Sequence, residues 1–160
     1  MTLLIGITSV AAAGMGGVFF AFSSFVIGAL GRMPPAQGMA AMQSINIVAV
    51  TPAFMSLFLG TAFACLVLAV DAAIYWQGTG SAYQLAGAFC YLAGAFVVTI
   101  AANVPLNNAL AAADPQSPDG ARLWARYLRV WTAWNHLRTV AGLAAGACLA
   151  QAAALLGAPR

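Results

Sequence analysis

Residues 47–70 read IVAVTPAFMSLFLGTAFACLVLAV and contain no charged side chain. About 20 apolar residues in an α-helix cross the ~30 Å hydrocarbon core of a bilayer, so this stretch is long enough to span a membrane. Three further apolar stretches occupy residues 3–30, 85–102 and 131–156. Because only α-helices and closed barrels satisfy the backbone inside lipid, and these runs are too long and alanine-rich for barrel strands, we predict an all-α, integral membrane four-helix bundle.

The composition supports a membrane protein. The 160 residues are 63% hydrophobic and only 6% charged, whereas a soluble domain carries about 25% charged residues. The net charge of +3 comes from arginine, since lysine is absent, and the arginines are too few and too clustered for a nucleic-acid-binding stripe. We expect residues 1–160 to form a single transmembrane domain, with an amphipathic lead-in at 121–130 before the fourth span. The first span should be retained, because no basic residue precedes it as in a signal peptide.

Arginine distribution predicts the orientation. Arg32 lies between spans 1 and 2, and three more arginines lie between spans 3 and 4, namely Arg122, Arg126 and Arg129. The connection between spans 2 and 3 carries Asp71 and no positive charge. Positive residues collect on the cytoplasmic side, so we expect both termini on the non-cytoplasmic side of the inner (plasma) membrane. The same four arginines should lie at the membrane interface, among lipid phosphates.

Small residues predict where helices pack. One stripe of span 1 carries Ala13, Gly17, Ala21, Ser24 and Gly28, and span 4 carries a GxxxG motif at Gly142 and Gly146. Small side chains let helix backbones approach closely in lipid, and the small-residue face of span 1 would also suit a symmetric homo-oligomer. The cysteines are Cys65, Cys90 and Cys148, an odd number without CxxC spacing, which favours neither disulfides nor a zinc site.

Residues 121–138 carry most of the polar chemistry. At ~100° per residue, one side of a helix there presents an aromatic and polar stripe, formed by Trp124, Tyr127, Trp131, Trp134, Asn135 and Arg138. The arginine row and His136 fall on the opposite side. We expect the aromatic stripe to face the bundle. Arg138 lies one turn deeper than the arginine row, and a charge that faces a bundle interior normally needs a partner or a role, although it can also snorkel to the interface.

Asparagines gather at the end of span 3. Asn103 and Asn107 are spaced i, i+4 around Pro105, which removes a backbone hydrogen bond and locally opens the helix. Unpaired amides are costly in hydrocarbon, so these side chains either bind between helices or serve a site. We predict one pocket lined by residues of spans 3 and 4, with Ser44 and Asn46 at its rim: Asn103, Asn107, Trp131, Asn135 and Arg138.

His136 is the only histidine and the natural general base near neutral pH. Its helical angle, however, puts it about 100° from Asn135, on the arginine side. The sequence contains no HExxH, no paired carboxylates, no GxSxG and no glycine-rich phosphate loop. We therefore expect no metal and no cofactor.

Several motifs resemble those of the anthrone oxygenase-like family of small four-span membrane proteins. They are GGVFFAFS at 16–23, PPAQG at 34–38, MQSIN at 42–46, NVPLN at 103–107 and WTAWNHLRT at 131–139. The resemblance runs over nearly the whole chain. It implies a monooxygenase that oxidises an anthrone, a polyketide-type planar aromatic, to an anthraquinone with O2 and without metal or flavin.

The resemblance also suggests roles for individual residues. Asn103, Asn135 and Arg138 would donate hydrogen bonds to a developing enolate oxygen, with His136 as the base if the helix allows it. The planar ring would bind against Trp131 and Trp134, with Asn107, Asn46 and Tyr127 nearby. Two alternatives stay open at this stage. In the first, the chain is a non-catalytic protein that binds or transports a lipid or quinone-like ligand. In the second, it is a haem protein with His136 as axial ligand.

Overall fold

The computed structural model describes residues 1–158, and these contain helices and no β-strand. Helix α1 is Thr2–Gly31, α3 is Pro52–Ile74, α4 is Thr79–Ala111 and α5 is Pro118–Gly157. Each of these helices is long and apolar enough to cross a membrane. A shorter helix, α2, is Pro35–Val48. The fold is therefore an all-α, integral membrane four-helix bundle, as the sequence predicts.

Local sequence explains where the helices begin. The hydroxyl of Thr51 accepts a hydrogen bond from the Phe54 N–H at the start of α3, and Ser117 Oγ accepts one from the Gly120 N–H at the start of α5. Proline follows each cap as the first helical residue, where its missing N–H costs nothing. Gly78 makes the turn between α3 and α4 with φ of 64°. Glycine adopts such a positive φ readily, whereas residues with a side chain do not.

The helix bounds differ from the predicted spans at the second, third and fourth spans, and the helix of the third span, Thr79–Ala111, extends beyond the predicted 85–102 at both ends. Residues 47 and 48 belong to α2, and α3 begins only at Pro52. The predicted lead-in at 121–130 and the fourth span form one uninterrupted helix of 40 residues. At ~1.5 Å per residue α5 is about 60 Å long, roughly twice the hydrocarbon thickness, so one end must project beyond it.

Three segments within the long helices are π-helical. They are Phe22–Val26 in α1, and Cys90–Val97 and Thr99–Asn103 in α4. The last of them directly precedes Pro105, where the sequence predicts a locally opened helix. A π-segment shifts the phase of the side chains and leaves backbone groups available, and such segments are frequent at functional sites.

Helices α1 and α5 make the tightest contact in the bundle. A Cβ built on Gly142 would lie 2.9 Å from Gly16 Cα, and one on Gly146 would lie 2.8 Å from Ala13 Cβ. The GxxxG prediction for span 4 is thus confirmed as a packing surface. Of the predicted stripe on α1, Ala13 packs against Gly146, but Gly17, Ser24 and Gly28 are exposed, so the stripe is wrong by part of a turn. The face that packs carries Ser9, Ala12 and Gly16 instead.

Helix α2 closes one end of the bundle. The Nε2 group of Gln43 donates to the carbonyls of Leu110 (2.7 Å) and Ala113 (3.0 Å) at the end of α4. The buried methionines of α2 pack on Trp124, Tyr127 and Trp131 of α5. This aromatic end of the bundle lies on the side of the α1–α2 and α4–α5 connections, and a second apolar core of α1, α3, α4 and α5 fills the other end.

Candidate functional site

A cavity of about 360 Å³ lies inside the bundle between the α2 end and the second core. This volume is within the range of small-molecule sites in proteins. Its walls come from all of α1 to α5 and are mostly apolar, with aromatic faces from Phe19, Phe22, Phe58, Phe96 and Trp131. The polar groups on the walls are few, and they are Asn46, Thr99, Asn107, Asn135 and Arg138.

Arg138 is the charged group of this cavity, and it is only 6% exposed. Its guanidinium donates to Thr99 Oγ1 at 3.2 Å and to Asn135 Oδ1. Two aromatic faces flank it, with the ring centroid of Phe19 4.4 Å and that of Trp131 5.2 Å from Cζ. Within residues 1–158 the only ion pair joins Arg122 and Asp119 at the surface, so no carboxylate of this part of the chain neutralises Arg138.

Asn135 holds Arg138 in place rather than facing the cavity with free donors. The asparagine is fully buried, and its Nδ2 group donates to the Phe19 carbonyl at 2.7 Å and to Ser23 Oγ at 2.6 Å. Its Oδ1 accepts from Arg138. Since both amide hydrogens have partners, the predicted hydrogen bond from Asn135 to a substrate oxygen has no donor left to make it.

Asn107 organises the aromatic wall in a similar way. Its Oδ1 accepts from the Tyr127 hydroxyl and from Trp131 Nε1, both at 2.8 Å. The rings of Tyr127 and Trp131 stack, with centroids 5.7 Å apart. These bonds fix the indole face of Trp131 toward the cavity.

Some polar atoms at the site have no protein partner. Arg138 Nε, Asn46 Nδ2 and Asn103 Oδ1 are buried and make no hydrogen bond of normal geometry, although Asn46 lies beside the Tyr127 hydroxyl. Buried donors without partners are uncommon in proteins and call for an explanation. The two donors belong to residues that line the cavity, Arg138 and Asn46, but both nitrogen atoms are themselves fully buried, so a ligand reaches them only if these side chains shift.

The structure brings together part of the predicted site. Asn46, Asn107, Trp131, Asn135 and Arg138 all line the cavity. Asn103 is buried next to it and donates to the Trp131 carbonyl at 3.3 Å. Tyr127 is fully buried behind the wall, bound to Asn107, and Ser44 is exposed and not part of the cavity lining.

Two further predicted site residues lie outside the cavity, on the surface of the bundle. His136 is exposed on the outer face of α5, as its helical angle indicates, so it does not reach the site as a base. A haem ligated by His136 would likewise lie on the outer surface. Trp134 was expected to face the bundle, but it is 42% exposed. Asn135 and Thr139 are buried, so the inward face of α5 is turned toward their side, and Trp134 lies at the opposite edge of the predicted stripe. The arginine row at Arg122, Arg126 and Arg129 is exposed, as is Arg32.

Sequence reasoning missed the contribution of α1. Phe19 flanks Arg138, Ser23 binds Asn135 and Phe22 packs against Trp131, yet all three lie in a charge-free span without a polar pattern. Thr99 was also missed, because a single threonine in a span usually bonds its own helix, as Thr99 does to Ala95. The signals available were the repeated phenylalanines of GGVFFAFS and a threonine one turn before Asn103.

Among the described residues no group of three His, Cys, Asp or Glu side chains is placed to hold a metal ion. The three cysteines are unpaired thiols, with Cys65 buried and the other two partly buried. The cavity therefore offers hydrogen bonds, one positive charge and aromatic faces as its means of binding.

Comparison with known proteins places this site in a family. The family model described as anthrone oxygenase matches residues 53–148, more than half of the chain. This chain belongs to the anthrone oxygenase family. The match covers α3, α4 and α5 as far as Cys148, and so includes Asn107, Trp131, Asn135 and Arg138 but not the α1 and α2 residues of the cavity. No curated protein and no solved structure matches the chain.

Proposed function

We propose that the chain is a membrane-embedded oxygenase that oxidises an anthrone-like or hydroquinone-like aromatic with O2 to a quinone. The observation that carries this proposal is that Arg138 is buried beside the cavity without a carboxylate partner among the described residues. A buried cation without a carboxylate partner costs several kcal/mol to maintain, and it borders an apolar cavity lined with aromatic rings. Such a site favours a planar ligand that carries, or develops, negative charge on oxygen.

The chemistry of an anthrone fits this site. Loss of a benzylic proton gives an enolate whose negative charge lies on oxygen, where Arg138 stabilises it. The enolate carbon then transfers electrons to O2 and forms a C–O bond, which gives a hydroperoxide. Elimination of water from the hydroperoxide gives the second carbonyl. One O2 is consumed, one of its oxygen atoms stays in the quinone, and the other leaves as water.

The wall residues do not include a base that could take the substrate proton. The polar wall groups are three amides, a hydroxyl and a guanidinium, none of which accepts a proton near neutral pH. The substrate must therefore be acidic by itself, and the positive charge of Arg138 lowers the pKa of its enol or phenol further. Anthrones and hydroquinones meet this condition, whereas alkanes and simple alcohols do not.

A second candidate function rests on the same absence of a base among the wall residues. The cavity would then bind or carry a quinone-like ligand or lipid without reaction, with its oxygen held by Arg138 and Asn46. This candidate needs no oxygen chemistry, so oxygen consumption separates the two.

We also propose an orientation in the plasma membrane. Arg32 and the row at Arg122, Arg126 and Arg129 lie at the same end of the bundle, because α2 binds the end of α4 there. Arginine at one end favours the cytoplasmic side, among anionic lipid headgroups. Both termini would then lie on the non-cytoplasmic side.

The deciding experiment measures oxygen uptake by the protein in proteoliposomes with an anthrone and, separately, with a substituted hydroquinone. Uptake of one O2 per anthrone, with one labelled atom from ¹⁸O₂ in the quinone, supports the monooxygenase. Uptake with the hydroquinone, without label in the product and with release of hydrogen peroxide, supports an oxidase. Saturable binding of either compound without oxygen uptake contradicts the oxygenase proposal and supports the carrier.

A further inference from the structure

The cavity is not sealed by the protein, because several of its wall residues are also surface residues. Val50 is 67% exposed and Ile100 is 55% exposed, and Leu59 and Val104 are exposed as well. A closed cavity would be lined by buried side chains. The cavity therefore reaches the outer surface between the α2–α3 connection and the second half of α4. We call this gap the lateral opening and define it by Val50, Leu59, Ile100 and Val104.

The helix arrangement explains why the gap exists. Helix α2 ends at Val48 and α3 begins at Pro52. Residues 49–51 are therefore not helical and do not present a regular helix face to α4. Helix α3 packs mainly against residues 79–97 of α4, and only weakly against its last turns. The first turns of α3 and the segment around Ile100 are consequently left apart.

The chemistry of the rim indicates what lies outside it. All residues that define the lateral opening are aliphatic, and Ile47 and Val48 beside it are 77% and 67% exposed. In a chain with four candidate membrane spans, an exposed aliphatic surface of this kind faces acyl chains rather than water. The polar wall groups Thr99, Asn135 and Arg138 lie on the cavity wall, and none of them is on the rim.

We propose that the ligand enters this cavity sideways from the bilayer through the lateral opening. The ligand class is then an uncharged, lipophilic molecule with an oxygen function, dissolved in the membrane, which passes the aliphatic rim and turns its oxygen toward Arg138. A ligand that is charged in water would have to lose its hydration at this rim, at a cost that acyl surroundings do not offset. The proposal holds for an oxygenase and for a carrier, because it concerns access alone.

Fluorescence quenching of Trp131 tests the route. In proteoliposomes of a Trp76→Phe/Trp134→Phe protein, the remaining indoles are Trp124 and Trp131, both buried, and of these only Trp131 lines the cavity. The signal lost on Trp131→Phe identifies its share. Phosphatidylcholine with brominated acyl chains reports access from the bilayer, and acrylamide reports access from water. We expect quenching of Trp131 by the brominated lipid and none by acrylamide.

Blocking variants make the test specific. Val50→Phe/Ile100→Phe narrows the lateral opening and should abolish quenching by the brominated lipid. Leu66→Phe, at an exposed position of α3 outside the cavity lining, should leave it unchanged. Quenching by acrylamide, or lipid quenching that persists in the blocked variant, overturns the proposal. If the blocked variant does not fold, the comparison of the two quenchers still decides. Oxygen uptake plays no part, so failure here differs from failure of the oxygenase.

Discussion

Arg138 and Asn135 act as a pair at the scale of single residues. The Asn135 amide nitrogen donates to the Phe19 carbonyl of α1 and to the Ser23 hydroxyl, and its amide oxygen accepts from the Arg138 guanidinium. Arg138 in turn is sandwiched between the rings of Phe19 and Trp131. The cation is thus held in place beside the cavity, and under the proposed function this preorganisation would stabilise a developing oxyanion.

Asn135 should therefore act through Arg138 as a positioning residue. Asn135→Ala removes the hydrogen bonds to the Phe19 carbonyl and the Ser23 hydroxyl and takes away one of the two acceptors of the guanidinium, so we expect a lower turnover and a loss of about 1–3 kcal/mol in stability. Turnover and thermal unfolding measure the two effects. Asn108→Ala, at an exposed position of α4, is the matched control and should change neither.

A double-variant cycle separates positioning from a purely structural role. If Asn135 acts through Arg138, Asn135→Ala in an Arg138→Met background should lower turnover no further. Independent, additive losses in turnover would contradict the assignment, even if both single variants are less stable.

Helical phase explains which site residues the sequence could predict. The angle of each residue on α5 correctly places Trp131, Asn135 and Arg138 inward and His136 outward, because one uninterrupted helix keeps its phase over that distance. The same reasoning could not supply Phe19, Ser23 or Thr99. Helical phase tells which residues share a face of one helix, but it does not tell which other helix packs against that face. Phe19, Ser23 and Thr99 come from such neighbouring helices.

The contact of α1 with α5 dominates at the scale of elements. A methyl group on Gly16 would lie 2.8 Å from Leu143 N and 3.0 Å from Gly142 C, and these backbone atoms cannot move aside. Gly16→Ala should therefore destabilise the protein by about 1–3 kcal/mol. Because Phe19 lies one turn further along α1, turnover should fall as well.

Thermal unfolding in detergent checks this prediction, with Gly17→Ala as the neighbouring control. Nothing lies within 4 Å of a Cβ at Gly17, so this change should be neutral or slightly stabilising through helix propensity. Equal unfolding temperatures for Gly16→Ala and Gly17→Ala would show that the two helices do not pack as described.

The sequence predicts the positions of the four long helices but not their internal geometry. Hydropathy locates four spans because lipid demands long apolar helices, and GxxxG locates one side of the α1–α5 contact. The π-segments Phe22–Val26, Cys90–Val97 and Thr99–Asn103 were not predicted, since apolar runs of this kind carry no pattern that separates π-helix from α-helix. They also shift the phase of the side chains along α1 and α4, so a constant ~100° per residue does not give the packed face of these two helices.

At the scale of the whole molecule, the proposed orientation makes a prediction about labelling. In a protein with Cys65, Cys90 and Cys148 replaced by Ala, a cysteine at Tyr75 reports the α3–α4 connection and one at Gln116 reports the α4–α5 connection; both positions are exposed. In intact cells an impermeant maleimide should label Tyr75→Cys but not Gln116→Cys, because the proposed orientation puts the arginine-rich end in the cytoplasm. The reverse pattern would contradict the orientation.

The central claim is that the buried charge of Arg138 stabilises an oxyanion of a ligand in the cavity. Oxygen uptake with an anthrone by Arg138→Met proteoliposomes tests it most directly. Methionine fills the space without a charge, so the variant should fold at least as stably as the wild type, while turnover should fall about 10²–10³-fold. Arg126→Met, at an exposed position of the same helix, should keep full turnover. Wild-type turnover by a folded Arg138→Met protein would contradict the claim.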